Sequence, residues 1–270
     1  MLLSDLIKGY SDQLTKSEKE IANYIDKNLE NILQYSIAEL SHDIGVGEST
    51  IVRFCRKIGF NGFYDFKIQL AKQLYVEEND SAEDYIDQIE ANMINTIKST
   101  RLLVNKDALN EAIEMVLKAN YIYLYGVGAS GIAALEGEGK FIRGGLKCKA
   151  VTDSHFQTIL SGTLGEDDII IALSLSGTTR DLLESVDIAR KNGAKIIAIT
   201  NYTRSKLATL ANVVLQSAGY EKPLDGGSFA AKISQLFVLD LLYTGVLIKA
   251  KNRILSKESK AAEAISRKLD

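Results

Sequence analysis

Residues 168–181 read DIIIALSLSGTTRD, and the order of residue types in this stretch decides the fold. DIIIAL is a short apolar run bounded by turn residues, the pattern of a strand buried on both faces. It gives way to SLSGTT and then to the helix-like DLLESVDIARK. Ser174 and Ser176 flank Leu175 at the strand end, Gly177 permits a tight turn, and Thr178 or Thr179 begins the helix. The first N–H groups of a helix have no partner inside it, and the helix dipole adds positive character there. Such a turn welcomes an anion, hydroxyls complete the shell without adding charge, and a phosphate monoester fits.

Working outward, β-rich runs at 121–125, 147–151, 168–173, 195–200 and 213–217 alternate with helix-like segments at 130–143, 155–163, 179–192 and 204–211. A last helical segment covers 228–250, and 84–104 and 107–119 read as helices before the first strand. Alternation of this kind predicts an α/β fold with a five-stranded parallel sheet flanked by helices. Ligands of such sheets sit beyond the carboxyl ends of the strands. A second glycine-rich turn, YGVGASG (125–131), follows the first strand, with Gly126, Gly128 and Gly131 at the G-x-G-x-x-G spacing. No acidic residue ends the second strand, KCKAV, although Asp153 lies just past it. The expectation is therefore a loop that brings Gly128, Ala129 and Ser130 beside the 174–179 cradle, and no cofactor.

The first 75 residues carry a different period. Thr15 with Glu18 forms a capping box, followed by Ile21, Ile25, Leu29 and Ile32 as an apolar stripe. Ser36 with Glu39 opens a second helix, STIVRFCRKI forms a third and FYDFKIQLAKQL a fourth, giving an all-α unit. Within LSHDIGVGESTIVRF (40–54), Leu40, Ser41, Ile44, Gly45, Val46, Ile51 and Phe54 occupy the positions a helix-turn-helix requires. Gly45 ends the first helix of the pair, and Ile51 and Phe54 lock the second against it. That second helix presents Ser49, Thr50, Arg53, Arg56 and Lys57 to double-stranded DNA, its N-terminal residues toward base edges. Residues 49–72 hold Arg53, Arg56, Lys57, Lys67 and Lys72 against Asp65 alone. From 77 to 90 the acids Glu77, Glu78, Asp80, Glu83, Asp84, Asp87 and Glu90 face no base, which marks a boundary between modules. The domains expected are 1–76, a helical linker 77–106, and 107–270.

The chain of 270 residues has a net charge of −3 and 46% hydrophobic residues, enough for a sizeable core. Cys55 and Cys148 stand far apart without a Cys/His cluster, which argues against a disulfide framework or a zinc site and for small buried side chains. No signal peptide is legible, and the longest apolar stretch, LFVLDLLYTGVLI (236–248), is interrupted by Asp240. A cytoplasmic protein with no membrane partner and no metal is expected.

Taken together, YGVGASG, ALSLSGTTRDLLESVDIARKNGAKIIAIT and SKLATLANVVL resemble the sugar isomerase (SIS) domain. SIAELSHDIGVGESTIVRFCRKIGFNGFYDFKIQLA resembles the N-terminal half of the RpiR/MurR family of bacterial transcriptional regulators. The resemblance implies an oligomeric regulator, a homodimer or homotetramer, whose SIS domain senses a phosphorylated sugar and alters operator binding. Carried residue by residue, it places the phosphate at Ser130, Ser174, Ser176 and Thr179, with Lys232 nearby. It puts Ser49, Thr50 and Arg53 in the recognition helix and DSHFQ (153–157) near the sugar pocket.

Isomerases that resemble this domain carry a glutamate seven residues before a lysine, as a base within reach of the sugar C–H. Here Asp225 stands at that distance from Lys232, one methylene shorter, and Leu224 replaces a threonine. Leu175 also replaces a polar residue between the serines. These departures favour sensing without catalysis. The alternative is a phosphosugar isomerase with a helical N-terminal appendage, working through Asp225, Glu221 or His155.

Overall fold

A computed structural model describes residues 6–7, 9–10, 13–33, 35–67, 69–70, 85–219 and 229–250, Glu30 by its backbone alone. The chain divides into two compact units, the first within residues 1–91 and the second from 92 onward without 220–228.

In the first unit, α1 (Lys16–Lys27) starts at a complete capping box. The Thr15 N–H donates to Glu18 Oε2 at 2.8 Å and the Glu18 N–H to the Thr15 hydroxyl at 3.4 Å. The apolar stripe does not continue in one helix. Asn28 breaks it, its backbone leaving the helical region at φ −133° and its amide donating to the Tyr24 carbonyl at 2.8 Å. A one-turn α2 (Leu29–Ile32) follows. Ile21, Ile25 and Ile32 are fully buried all the same, so the core demand is met across the break. Then come α3 (Ile37–Ile44), α4 (Glu48–Lys57) and helical residues at 63–67. Leu40, Ile51, Phe54, Cys55, Phe66 and Leu70 complete one core with them.

The second unit is a doubly wound α/β domain. Ahead of its sheet stand α5 (Tyr85–Leu103), whose start belongs to the first unit, and α6 (Lys106–Lys118). The strands are β1 (Tyr121–Tyr125), β2 (Cys148–Val151), β3 (Asp168–Leu173), β4 (Lys195–Thr200) and β5 (Val213–Gln216). The helices α7 (Ala129–Arg143), α8 (Ser154–Ser161), α9 (Arg180–Lys191) and α10 (Lys206–Leu210) connect them, and α11 (Phe229–Lys249) closes the unit. All pairings are parallel and the strand order is β2-β1-β3-β4-β5.

Both faces of β3 are covered, which is why its sequence is continuously apolar. Ile169, Ile171 and Leu173 pack under α6, α7 and α11, while Ile170 and Ala172 pack under α9 and α10. The apolar run at 236–248 folds as part of α11, a helix of 21 residues and mean hydropathy 1.5, long and apolar enough by composition to cross a membrane. Its Val238, Leu239, Leu242 and Val246 are committed to the sheet-covering core.

Candidate functional site

In the first unit the local sequence builds a helix pair. Ser36 caps α3, its hydroxyl accepting from the Glu39 N–H at 3.1 Å while Glu39 Oε2 accepts from the Ser36 N–H at 3.0 Å. Gly45 ends α3 at φ +78°, in the left-handed region where glycine carries no Cβ penalty. The Gly45 and Val46 N–H groups each return to the Ser41 carbonyl at 3.0 Å, closing the turn. Two residues on, α4 begins. Ile51, Phe54 and Cys55 are its fully buried side, and burial pushes the Cys55 thiol up to about 12, so it is an inert packing group.

The opposite side of α4 bears exposed Ser49, Arg53 and Arg56, with Thr50 half-buried. Arg53 donates to the Thr50 hydroxyl at 3.3 Å, which holds the guanidinium along the helix, and Arg56 donates to the Asn61 carbonyl at 3.3 Å. Lys57 has a partner that sequence reading missed. Its ammonium sits 2.6 Å from Glu18 Oε2 and 3.1 Å from the Gln13 carbonyl, tying α4 to the cap of α1. Lys67 is also turned inward, donating to the Tyr35 carbonyl at 3.0 Å and lying over Phe63. Burial pushes its ammonium down to about 8, with Glu39 pulling the other way. Of the five cations counted from sequence, Arg53, Arg56 and Lys57 are exposed, Lys57 while paired with Glu18; Lys72 lies outside the described residues.

Glu18 is nearly buried, and burial alone would raise its pKa. The hydrogen bond from Lys57, those from Thr15 and the Lys57 charge together hold it below its ordinary value of 4.5. A depressed carboxylate stabilises the fold above pH 4.5, and that contribution is lost as pH falls through the lowered folded value. Lys57→Met is therefore expected to cost about 1–3 kcal/mol at pH 7, because it strands the Glu18 carboxylate. Glu18→Gln should flatten the acid limb of the stability–pH curve. Thermal melts between pH 3 and 7 read both effects.

In the second unit, β1 and β3 are neighbours, with Tyr125 beside Ala172, so their carboxyl-end loops lie side by side. This is where the strand order reverses, with β2 to one side and β4-β5 to the other. From this point α7 leaves over one face and α9 over the other. Two helix N-termini thus flank one crevice.

The loop after β3 is wired by its own hydroxyls. Ser174 Oγ accepts from the Gly177 N–H and bonds the Thr179 hydroxyl, both at 3.1 Å. Ser176 Oγ accepts from the Thr178 N–H at 3.3 Å and its hydroxyl at 3.1 Å. Gly177 sits at φ +61°, and a Cβ there would overlap the Ser205 hydroxyl. The Leu175 carbonyl accepts from the Asn201 N–H at 3.0 Å and the Thr200 hydroxyl at 3.2 Å, so β4's end braces the turn. Thr179 caps α9 without a side-chain bond to the helix, which leaves the N–H groups of its first turn facing the crevice.

The loop after β1 is held by sterics. A Cβ on Gly126 would overlap the Ser130 carbonyl, and Gly128 adopts φ +59°, ψ −128°, a region that only glycine occupies freely. Ser130 Oγ accepts from Gln235 Nε2 at 3.0 Å, a buried amide of α11. Lys232 lies one turn earlier on α11, its ammonium 5.0 Å over the Phe229 ring. A spacing of three residues puts Lys232 next to Gln235, and next to Phe229, on the helix surface.

Two residues of DSHFQ hold the local structure. Asp153 caps α8 by accepting from the Phe156 N–H at 2.9 Å, and His155 is exposed. Gln157 is fully buried and donates to the Val151 and Gly126 carbonyls at 2.7 and 3.2 Å, fastening the first loop. No local pattern signals the hold of Gln157 on Gly126 or of Gln235 on Ser130, because those partners are 31 and 105 residues away. A separate cleft of about 490 Å³ lies between β2 and α8, walled by Val151, Phe156, Ile159 and Leu160, and holds none of the cradle serines. Among the described residues no His/Cys/Asp/Glu group could hold a metal. Glu221, Leu224 and Asp225 lie outside the described residues.

A helix-turn-helix unit followed by a doubly wound sheet with a hydroxyl cradle at its switch point defines a transcriptional regulator of the SIS-domain type. Residues 1–77 match the helix-turn-helix domain of the rpiR family and residues 115–245 the SIS domain. The chain belongs to the rpiR family of helix-turn-helix transcriptional regulators. An HTH-type transcriptional regulator of Clostridium perfringens is 37% identical over 262 residues, covering 93% of this chain and 94% of the relative. The regulator HexR of Pseudomonas aeruginosa is 32% identical over 256 residues, covering 92% and 90%. Among solved structures, Vibrio vulnificus NanR complexed with ManNAc-6P superposes with a TM-score of 0.86 at 26% identity, covering 98% of this chain and 97% of that one.

Proposed function

We propose that this regulator senses a phosphorylated sugar in the crevice between the β1 and β3 loops and alters its operator affinity in response. The observation that carries the reading is the pair of helix N-termini at the switch point, with the hydroxyls of Ser130, Ser174, Ser176 and Thr179 about them. Gly128, Ala129, Ser130, Ser174, Ser176, Gly177, Thr178 and Thr179 form the phosphate cradle, and Lys232 supplies the charge. NanR, which resembles the chain over nearly its full length, is complexed with a sugar phosphate, and this supports the same ligand class. Ser49, Thr50 and Arg53 read base edges, and Arg56 grips the backbone. Lys57 contributes by fixing α4 to α1. The working domains are 1–76, the linker 77–106, and 107–270, acting in pairs on DNA half-sites. The SIS domain acts here as a sensor without turnover.

The test is selection of genomic DNA fragments by the purified protein at physiological salt, with and without a panel of phosphosugars. One sugar phosphate should change retention of selective fragments. Isomerisation of a panel member would instead make the domain an enzyme. Arg53→Ala should cost about 1–3 kcal/mol of discrimination between operator and mismatched sites, measured by competition binding. Ser176→Ala should weaken effector binding by about 1.5–3 kcal/mol, roughly 10- to 150-fold, and leave DNA binding in place.

A further inference from the structure

Just past the carboxyl end of β4, Asn201 holds the cradle with its backbone and another segment with its side chain. Its N–H donates to the Leu175 carbonyl at 3.0 Å, inside the 174–179 turn. Its side-chain nitrogen donates to the Gly219 carbonyl, in the strip that follows β5. A carbonyl can only accept, so the orientation of the amide is fixed, and the Ser217 hydroxyl donates to Asn201 Oδ1 at 2.6 Å. Gln216 Nε2 donates to the Asn201 carbonyl at 2.8 Å. One asparagine thus ties the cradle turn to residues 216–219.

That strip is fixed in turn to two helices. A Cβ on Gly219 would overlap the Ser234 hydroxyl and the Ala231 backbone, so the strip lies directly against α11. The Ala218 N–H donates to the Thr100 hydroxyl of α5 at 3.1 Å, and that hydroxyl donates to the Thr96 carbonyl at 2.8 Å. Thr96 and Thr100 are the buried residues of α5, whereas Ile94, Ile97, Leu102 and Leu103 on the same helix are exposed. A helix ordinarily docks by an apolar stripe. This end of α5 is held instead by a hydroxyl on a backbone N–H, a directed contact that weakens steeply when the angle changes. The start of α5 belongs to the first unit, so a grip on Thr100 is a grip on the helix that leads out of the DNA-reading unit.

We propose that Asn201 is a positioning residue that couples the cradle to α5, with Ser217, Ala218 and Thr100 as the steps between them. The coupling rests on the phosphate-sensing reading of the cradle. Ser217 and Thr100 are fully buried, and Asn201 and Ala218 half-buried, so water is a poor substitute for a bond lost along the route. Coupling between sites needs contiguous groups with two discrete arrangements. Here the two are α5 held on Ala218 and α5 released from it. Asn201→Ala removes the side-chain bonds and keeps the N–H on Leu175, cutting the route beside the cradle and sparing the turn. Thr100→Val, of nearly the same shape, cuts it at the far end.

Hydrogen exchange of the full chain, read by mass spectrometry, tests the coupling. Inorganic phosphate and the phosphosugar panel are the probes, with sodium chloride at equal ionic strength as the blank. In the wild type a bound probe should slow exchange at the cradle, residues 174–183, and by about threefold or more at the end of α5, residues 98–104. In Asn201→Ala and in Thr100→Val the cradle should still be slowed while the response of α5 is lost. Circular dichroism checks folding, and should Asn201→Ala lose its fold, Thr100→Val alone decides. Cradle protection in the wild type with no response at α5 overturns the inference and leaves the sensing reading in place. So does a response at α5 that either folded variant keeps. No protection of the cradle by phosphate or by any phosphosugar overturns the sensing reading, and the inference with it.

Discussion

Gly177→Ala is expected to destabilise the second unit by about 2–5 kcal/mol and to abolish the response to effector. Two costs combine. A non-glycine residue held at positive φ loses about 1–2 kcal/mol, and forcing a methyl into a filled space adds about 1–3 kcal/mol. Gly177 is at φ +61°, and its Cβ would press into Ser205, a fully buried residue whose hydroxyl caps α10 by accepting from the Ala208 N–H. The turn has no slack on the other side, because the Gly177 carbonyl already accepts from the Leu207 N–H at 3.0 Å. Gly177→Ala/Ser205→Gly removes the overlap with Ser205, leaving the Thr200 hydroxyl close, and should recover part of the stability, but not the share due to φ. Denaturant unfolding measures both variants. A Gly177→Ala chain as stable as wild type would mean that the turn relaxes freely, and the preformed cradle would lose its basis.

Phe54→Ala is the second large effect, and it falls on the other unit. Phe54 is fully buried where α4 packs on the rest of the helical unit. Emptying that volume should cost about 3–5 kcal/mol, a large fraction of what a unit of this size has available. Heat denaturation should show the transition of the helical unit moved down by about 10 °C or more, with the α/β unit's transition in place. Operator binding should vanish near physiological temperature while stabilisation by a sugar phosphate persists. If both transitions fall together, the units do not unfold separately and the division of labour proposed for them is wrong.

What could be read from the sequence was local, and what could not was distant. Both capping boxes are contained in four residues, Thr15–Glu18 and Ser36–Glu39, so the pattern and its hydrogen bonds coincide. Gly45 and Gly177 announce positive φ because the turn leaves them no alternative. The strand DIIIAL was legible since burial on both faces writes itself as an unbroken apolar run. The stripe from Ile21 to Ile32 misled, as periodicity records which side is buried but not whether the backbone stays helical at Asn28. Charge counting did not show the pairing of Lys57, because its partner Glu18 stands 39 residues earlier. The brace from Gln235 to Ser130 has no trace in either segment, as it exists only once α11 has packed beside α7.

The short turn between β1 and α7 has a mechanical meaning. Ser130 lies in the first turn of α7, and fifteen residues of helix make a stiff rod about 22 Å long. One end of the rod stands in the crevice, where the Gln235 amide holds Ser130 when no ligand competes. A phosphate bound as proposed would compete with that amide for the Ser130 hydroxyl, and a stiff rod would carry the release from its tip to its far end in one piece.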